Sequence, residues 1–265
     1  MKPEVAWFRA LPRGNPPLLF LPDRPGVANQ LRPRPVHHEK MVFRRLLSVV
    51  AVLVLSTAPS PAQTSAPDSA KSGAERKTST PYTGDLSIFD SPGRDSRLQV
   101  NRVMDILGIG RGKTAADIGA GSGWFTVRAA RRVTESGTVY AVDINPEAIH
   151  HIETRAQEEK LHNVRAILSN SDDPMLPAGA VDAALLLKTY HEVERPVTLL
   201  RNLRASLRPG AKVGIIDRNG NGENHGVERD VVLKEASEAG FTLSQQYDFV
   251  KGDNMDYFLV FTVKP

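Results

Sequence analysis

From residue 82 to the C-terminus, short apolar runs alternate with longer stretches whose apolar positions recur at helical spacing. Stacked βαβ units with a mainly parallel sheet produce this alternation. The amphipathic stretch VNRVMDILGI, Val100 to Ile109, closes on glycines and predicts a helix leading into the fold. Strands are expected at Thr114–Ile118, Thr138–Ile144, Val164–Leu168 and Val181–Lys188. The last is almost wholly apolar, as a central strand buried on both faces should be. Between them, helices are expected over Trp124–Arg132 and from Asn145 or Pro146 to about Lys160, with proline where a missing N–H costs nothing. Pro196–Leu207 predicts a helix closed by the turn RPG, Lys212–Asp217 a fifth strand, and Gly226–Ala239 another helix. Thr242–Val250 and Tyr257–Val263 read as two final strands joined by KGDN. That link is too short for a parallel crossover, so the pair must be antiparallel. The expected fold is α/β, a seven-stranded mainly parallel sheet with an antiparallel last strand and helices on both faces.

Ahead of this region the pattern changes. Starting at Met41, the sequence MVFRRLLSVVAVLVLSTAPSPAQ gives Arg44 and Arg45, an apolar run from Leu46 to Leu55, then small residues. This is the three-part form of a secretory signal, best cut after Ala62. The run is short for a membrane span, which needs about 20 apolar residues, so an uncleaved anchor requires a few more. Residues 1–40 are rich in Pro and Arg without hydrophobic period, and are expected to be a non-native extension before the true start at Met41, or a disordered tail. Residues 41–62 are then the signal peptide, 63–81 a small, polar, flexible linker, and 82–265 the folded domain. The expected location is exported, periplasmic or secreted, with a membrane met only through an uncleaved leader; a cytoplasmic domain stays open.

Composition alters this picture in two places. The chain carries a net charge of +4, but 9 Lys and Arg stand against 3 Asp and Glu up to residue 62, leaving 25 against 27 from residue 63 on. The basic character belongs to the leader, and the folded part gives no case for a nucleic-acid partner. There are no cysteines, which excludes disulfides, thiolate metal sites and a cysteine nucleophile.

Chemistry concentrates at the ends of the expected strands. After the first strand comes DIGAGSG, with Asp117, Gly119, Gly121 and Gly123: a sharp turn of bare backbone entering a helix N-terminus, suited to a carboxylate. VYAVDIN puts Asp143 at the end of the second strand, where an acid accepts from ribose hydroxyls. SDDPMLP follows the third strand and carries Asp172 and Asp173. Singly, each has a bland reading as an α/β turn, a helix cap or a plain turn. Together they resemble the class I S-adenosylmethionine-dependent methyltransferases, whose fold is a Rossmann-like seven-stranded sheet. The resemblance runs from about Val100 to the C-terminus. It implies that Asp117, Gly119, Gly121 and Gly123 cradle the cofactor S-adenosyl-L-methionine, that Asp143 takes the ribose, and that Asp172, with Asp173 as neighbour, borders the adenine.

The fourth strand ends in KTYHEV, which resembles the Tyr-His-Glu ending of a subset of bacterial methyltransferases. His191, ordinarily titrating near 6.5, is the candidate catalytic base, and Tyr190 the candidate residue shaping the pocket or orienting the acceptor. The alternative has His191 capping the next helix while Tyr190 packs beneath it. Tyr82, Phe89 and Arg97 are candidates for a lid, or for a simply packed N-terminal arm. His225, in the loop DRNGNGENHG, reads more readily as solvated. No metal-ligand spacing is visible, since His150 and His151 are adjacent and point to different helix faces. The expected activity is methyl transfer to a small-molecule or envelope acceptor. The competing classes are a non-catalytic cofactor-binding module and a nucleotide-dependent oxidoreductase, the latter disfavoured by the terminal strand pair and by Gly-x-Gly-x-Gly in place of Gly-x-Gly-x-x-Gly.

Overall fold

The computed structural model describes residues 76–264. The leader at 41–62, the residues before it and most of the linker lie outside that range. Within it, none of the helices is long and apolar enough to cross a membrane.

Seven strands form one sheet: β1 (Thr114–Ile118), β2 (Thr138–Asp143), β3 (Val164–Leu168), β4 (Val181–Leu187), β5 (Leu207–Asp217), β6 (Phe241–Tyr247) and β7 (Tyr257–Val263). Their order is β3-β2-β1-β4-β5-β7-β6. β1 to β5 pair in parallel, and β7 runs antiparallel between β5 and β6. The order reverses between β1 and β4, opening a crevice beyond their carboxyl ends.

β4 shows how sequence sets the layers. From Ala183 on its residues sort by alternation, with Ala184 and Leu186 in the core on one sheet face and Ala183, Leu185 and Leu187 on the other. The helices supplying those cores are α1 (Arg94–Leu98), α2 (Val100–Leu107), α3 (Trp124–Val133), α5 (Pro196–Ser206) and α6 (Arg229–Glu238), while α4 (Pro146–Glu158) buries Ile152 in a smaller cluster with Ala120 and Ala141. In α2 the buried positions Val100, Val103, Met104 and Leu107 form one stripe at helical spacing. α4 begins with Asn145 accepting from the Glu147 N–H, Pro146 at its first position and Glu147 in its first turn.

Three boundaries differ from the sequence expectation by three residues or more. β5 begins at Leu207 rather than Lys212, so RPG lies within the strand. The pairing of β4 with β5 jumps from Val181–Leu207 to Ala183–Lys212, and the extra residues bulge outward. Asp182 secures that bulge by accepting from Arg208 at 2.6 Å and from the Thr114 N–H at 2.8 Å. α6 starts at Arg229 rather than Gly226, because the Val227 N–H is committed to the Arg218 carbonyl at 2.9 Å. β6 stops at Tyr247, and the connection to β7 holds a short 3-10 turn, Phe249–Asp253, instead of the KGDN turn alone. Asp253 there pairs with Arg94 and Arg97, tying this turn to α1.

Candidate active site

A cavity of about 770 Å³ occupies the crevice beyond β1, β2 and β4. That volume suits a cofactor together with a small acceptor.

One end is built from the glycine loop. At Gly119 the backbone turns with φ 72°, and a Cβ there would overlap the side chain of Thr189. The N–H groups of Gly119 and Ala120 both donate to the Val142 carbonyl, which ties the loop to β2. The Gly121 N–H donates to Asp143 Oδ2 at 2.8 Å, and Asp143 Oδ1 accepts from the Asn145 N–H at 2.9 Å. Asp143 is thereby fixed at the cavity edge with lone pairs to spare. Asp117 also reaches the wall, but its carboxylate is buried and accepts from Thr126 Oγ1 at 2.6 Å. Burial pushes its pKa up to about 7, against the Thr126 hydrogen bond. Asp117 anchors the start of α3 more than it offers a free charge.

Asp172 and Asp173 do not face the cavity, contrary to the role the resemblance implies. Asp172 pairs with Arg195 at 2.7 Å, and Asp173 Oδ1 caps its own turn by accepting from the Met175 N–H at 2.9 Å. The wall after β3 is formed by Ser169, Asn170 and Ser171, with Ile144, Pro146 and Leu199 giving an apolar slot beside them.

At the other end stand Lys188, Thr189, His191, Glu192, Arg218 and His225. His191 is 1% exposed. Its Nδ1 lies 2.9 Å from Asp217 Oδ2, and its backbone N–H donates to the same oxygen at 3.1 Å. Asp217 is fully buried and also accepts from the Arg218 N–H at 2.9 Å. Burial raises Glu192 to about 7, with His191 opposing. Burial and then Arg94 hold the Lys188 ammonium below the usual lysine range. Tyr190 departs from its expected place in the pocket. It is wholly buried beneath the 3-10 turn Tyr190–Glu192, and its hydroxyl donates to Glu235 Oε2 at 2.9 Å. Neighbouring side chains in a tight turn leave in different directions, so His191 reaches the cavity and Tyr190 the core.

The roof is the segment preceding α1. Tyr82 and Phe89 line the cavity and meet edge to face at 5.4 Å. Asp90 fastens the segment to Arg155 at 3.0 Å. Arg94 donates to the Phe89 carbonyl at 2.8 Å and lies over the Trp124 ring at 4.5 Å. Arg97 is not in the wall; it binds Asp253 and the Pro92 carbonyl outside. Upstream, Ser79 Oγ donates to the Gly222 carbonyl and accepts from the His225 N–H, both at 2.8 Å. Sequence reasoning missed Ser79, Arg94 and Asp217. Only Asp217, an acid at the carboxyl end of a strand, carried a signal that could have found it.

Residues 115–210 match a family model described as a methyltransferase domain. The chain is 30% identical over 132 residues to a nocamycin O-methyltransferase from Saccharothrix syringae, covering 48% of this chain and 46% of that protein. It is 27% identical over 110 residues to a demethylmenaquinone methyltransferase from Geobacillus, covering 42% and 47%. The matched region therefore spans about half the length of these curated relatives. Among solved structures, a SAM-dependent methyltransferase from Aquifex aeolicus superposes with a TM-score of 0.61 at 23% identity, covering 68% of this chain and all of the other.

Proposed function

We propose, for a chain whose residues 115–210 are a methyltransferase domain within a class I Rossmann-like fold, that it is an S-adenosylmethionine-dependent methyltransferase acting on a small molecule. The observation carrying this reading is the contact of the Gly121 N–H with Asp143 Oδ2 at 2.8 Å. It sets bare backbone and a fixed carboxylate side by side in one cavity. The group fits these residues: Asp143 offers free lone pairs to a ribose, the apolar slot at Ile144, Pro146 and Leu199 suits a flat base, and the Gly119–Gly123 backbone leaves room for the amino-acid portion. When bound, S-adenosylmethionine supplies a methyl group on a sulfonium with a good leaving group. The chain's own part is alignment and exclusion of water, with Tyr82 and Phe89 closing one side. His191, oriented through Nδ1 by Asp217, presents Nε2 to the acceptor end. The names of the relatives, a nocamycin O-methyltransferase and a demethylmenaquinone methyltransferase, support a small-molecule acceptor. The leader beginning at Met41 supports export; N-terminal sequencing of the native protein tests that, and a mature end near Gln63 agrees with it.

Calorimetric titration of the full chain with S-adenosylmethionine and S-adenosylhomocysteine tests the cofactor. Binding is expected, weakened by Asp143→Ala about 10–100-fold, since hydrogen bonds to a charged group contribute about 1.5–3 kcal/mol each. Absence of binding by the wild-type chain overturns the reading.

A further inference from the structure

Three side chains with metal-ligating atoms converge at the acceptor end. His191, Glu192 and His225 each offer one such atom, and these lie within 4.8 Å of one another. His191 Nε2 is 3.8 Å from Glu192 Oε1, and the two imidazole rings meet edge to face at 5.7 Å. They come from two separate segments, the turn after β4 and the loop after β5.

The surroundings match a metal centre in a second respect. A ligating histidine commonly donates its other ring N–H to a carboxylate, which fixes its tautomer and ring orientation. Asp217, fully buried, does this to His191 Nδ1, leaving Nε2 aimed into the cavity. His225 is held from both sides of its backbone, its N–H by Ser79 Oγ at 2.8 Å and its carbonyl by Arg218 Nε at 3.0 Å. It keeps φ at 58°, a left-handed conformation unfavourable for a residue with a Cβ. Two extended hydrogen-bonded supports thus hold an exposed histidine beside a buried one.

We propose that His191, Glu192 and His225 bind a divalent cation of the zinc class, whose remaining coordination positions face the cavity and take a hydroxyl oxygen of the methyl acceptor. The donor set selects the metal class, because two imidazoles and one carboxylate suit zinc and its transition-metal neighbours, whereas magnesium prefers an all-oxygen shell. Tetrahedral coordination brings such donor atoms to about 3.4 Å from one another. The exposed His225 loop supplies that closure. The acceptor assignment rests on the methyl-transfer reading above. An acceptor hydroxyl against the cation becomes more acidic and gives its proton to solvent. The O–CH3 bond then forms as the S–CH3 bond of S-adenosylmethionine breaks, and the bonding pair stays on sulfur as a neutral thioether.

The test is metal titration of the chelator-treated full chain with Zn²⁺, read by calorimetry, and with Co²⁺, read by its visible ligand-field bands. One equivalent is expected, with intense Co²⁺ bands of a four- or five-coordinate site. His225→Ala and Glu192→Gln should each abolish or weaken binding more than 10-fold, and Asp217→Asn should weaken it about 10–100-fold. Asp143→Ala should leave it intact. No stoichiometric binding, or binding indifferent to His225 and Glu192, overturns the proposal. S-adenosylhomocysteine is titrated into the same samples. Its binding without metal binding overturns the cation site alone. Metal binding without S-adenosylhomocysteine supports the site and overturns the methyl-transfer reading.

Discussion

Asp217 Oδ2 grips His191 twice, through ring Nδ1 at 2.9 Å and through the backbone N–H at 3.1 Å. Both side chains are almost completely withdrawn from solvent. His191 therefore belongs at once to the cavity wall and to the buried scaffold.

Replacing His191 by Ala strands a buried carboxylate that has lost its ring partner. We expect a loss of about 2 kcal/mol in urea unfolding, because hydrogen bonds to charged groups contribute about 1.5–3 kcal/mol. The double variant His191→Ala with Asp217→Asn should regain part of that loss. Simple additivity of the two single changes would show that the contact carries no energy of its own.

Tyr190→Phe separates scaffold from chemistry. The hydroxyl donates to Glu235, which also pairs with Arg76 at 3.1 Å. Its removal should cost about 1 kcal/mol of stability while kcat/KM for methyl transfer stays unchanged. A loss of turnover in a chain of near-normal stability would return Tyr190 to the reaction.

Gly119→Ala tests the turn that opens the cavity. The added methyl meets Thr189 in a backbone conformation that penalises any side chain, so a loss of more than about 1 kcal/mol is expected. Thr189→Ala in the same chain should relieve the steric part and leave the backbone part. Thermal unfolding of the four chains measures both.

Asp117 predicts a pH dependence of stability. Its folded pKa, about 7, stands above the ordinary aspartate value of 3.8, so the folded state holds the proton more tightly than the unfolded one. The stabilisation is full below about pH 4, is lost as pH rises towards 7, and levels off above it. Asp117→Asn should flatten this stretch of the profile by a few kcal/mol at most. Urea midpoints measured across the range decide it; a wild-type minus Asp117→Asn difference that rises with pH over that window contradicts the assignment.

Much of the fold was legible because strand edges coincide with abrupt changes of polarity. β1, β3 and β7 start and stop where their apolar runs do. β5 was misjudged at its start because RPG has turn chemistry in any context, and only its pairing with β4 turns it into a bulge. In the cavity wall, the positions of Asp143 and the glycine loop were readable because a parallel sheet delivers successive strand ends to one edge. Asp172 and Asp173 were not, since a local turn and Arg195 decide where their carboxylates point. Nor was the meeting of His191 with His225. Their approach depends on Ser79, which is remote from both in sequence.

The segment from Ser79 to Arg94 lies upstream of the region that matches the family model, yet it supplies a wall of the cavity and the support under His225. A clone trimmed to residue 115 would keep the glycine loop and Asp143 in sequence but lose that wall together with the buried stripe of α2. Weak affinity measured on such a fragment would report the trimming rather than the protein.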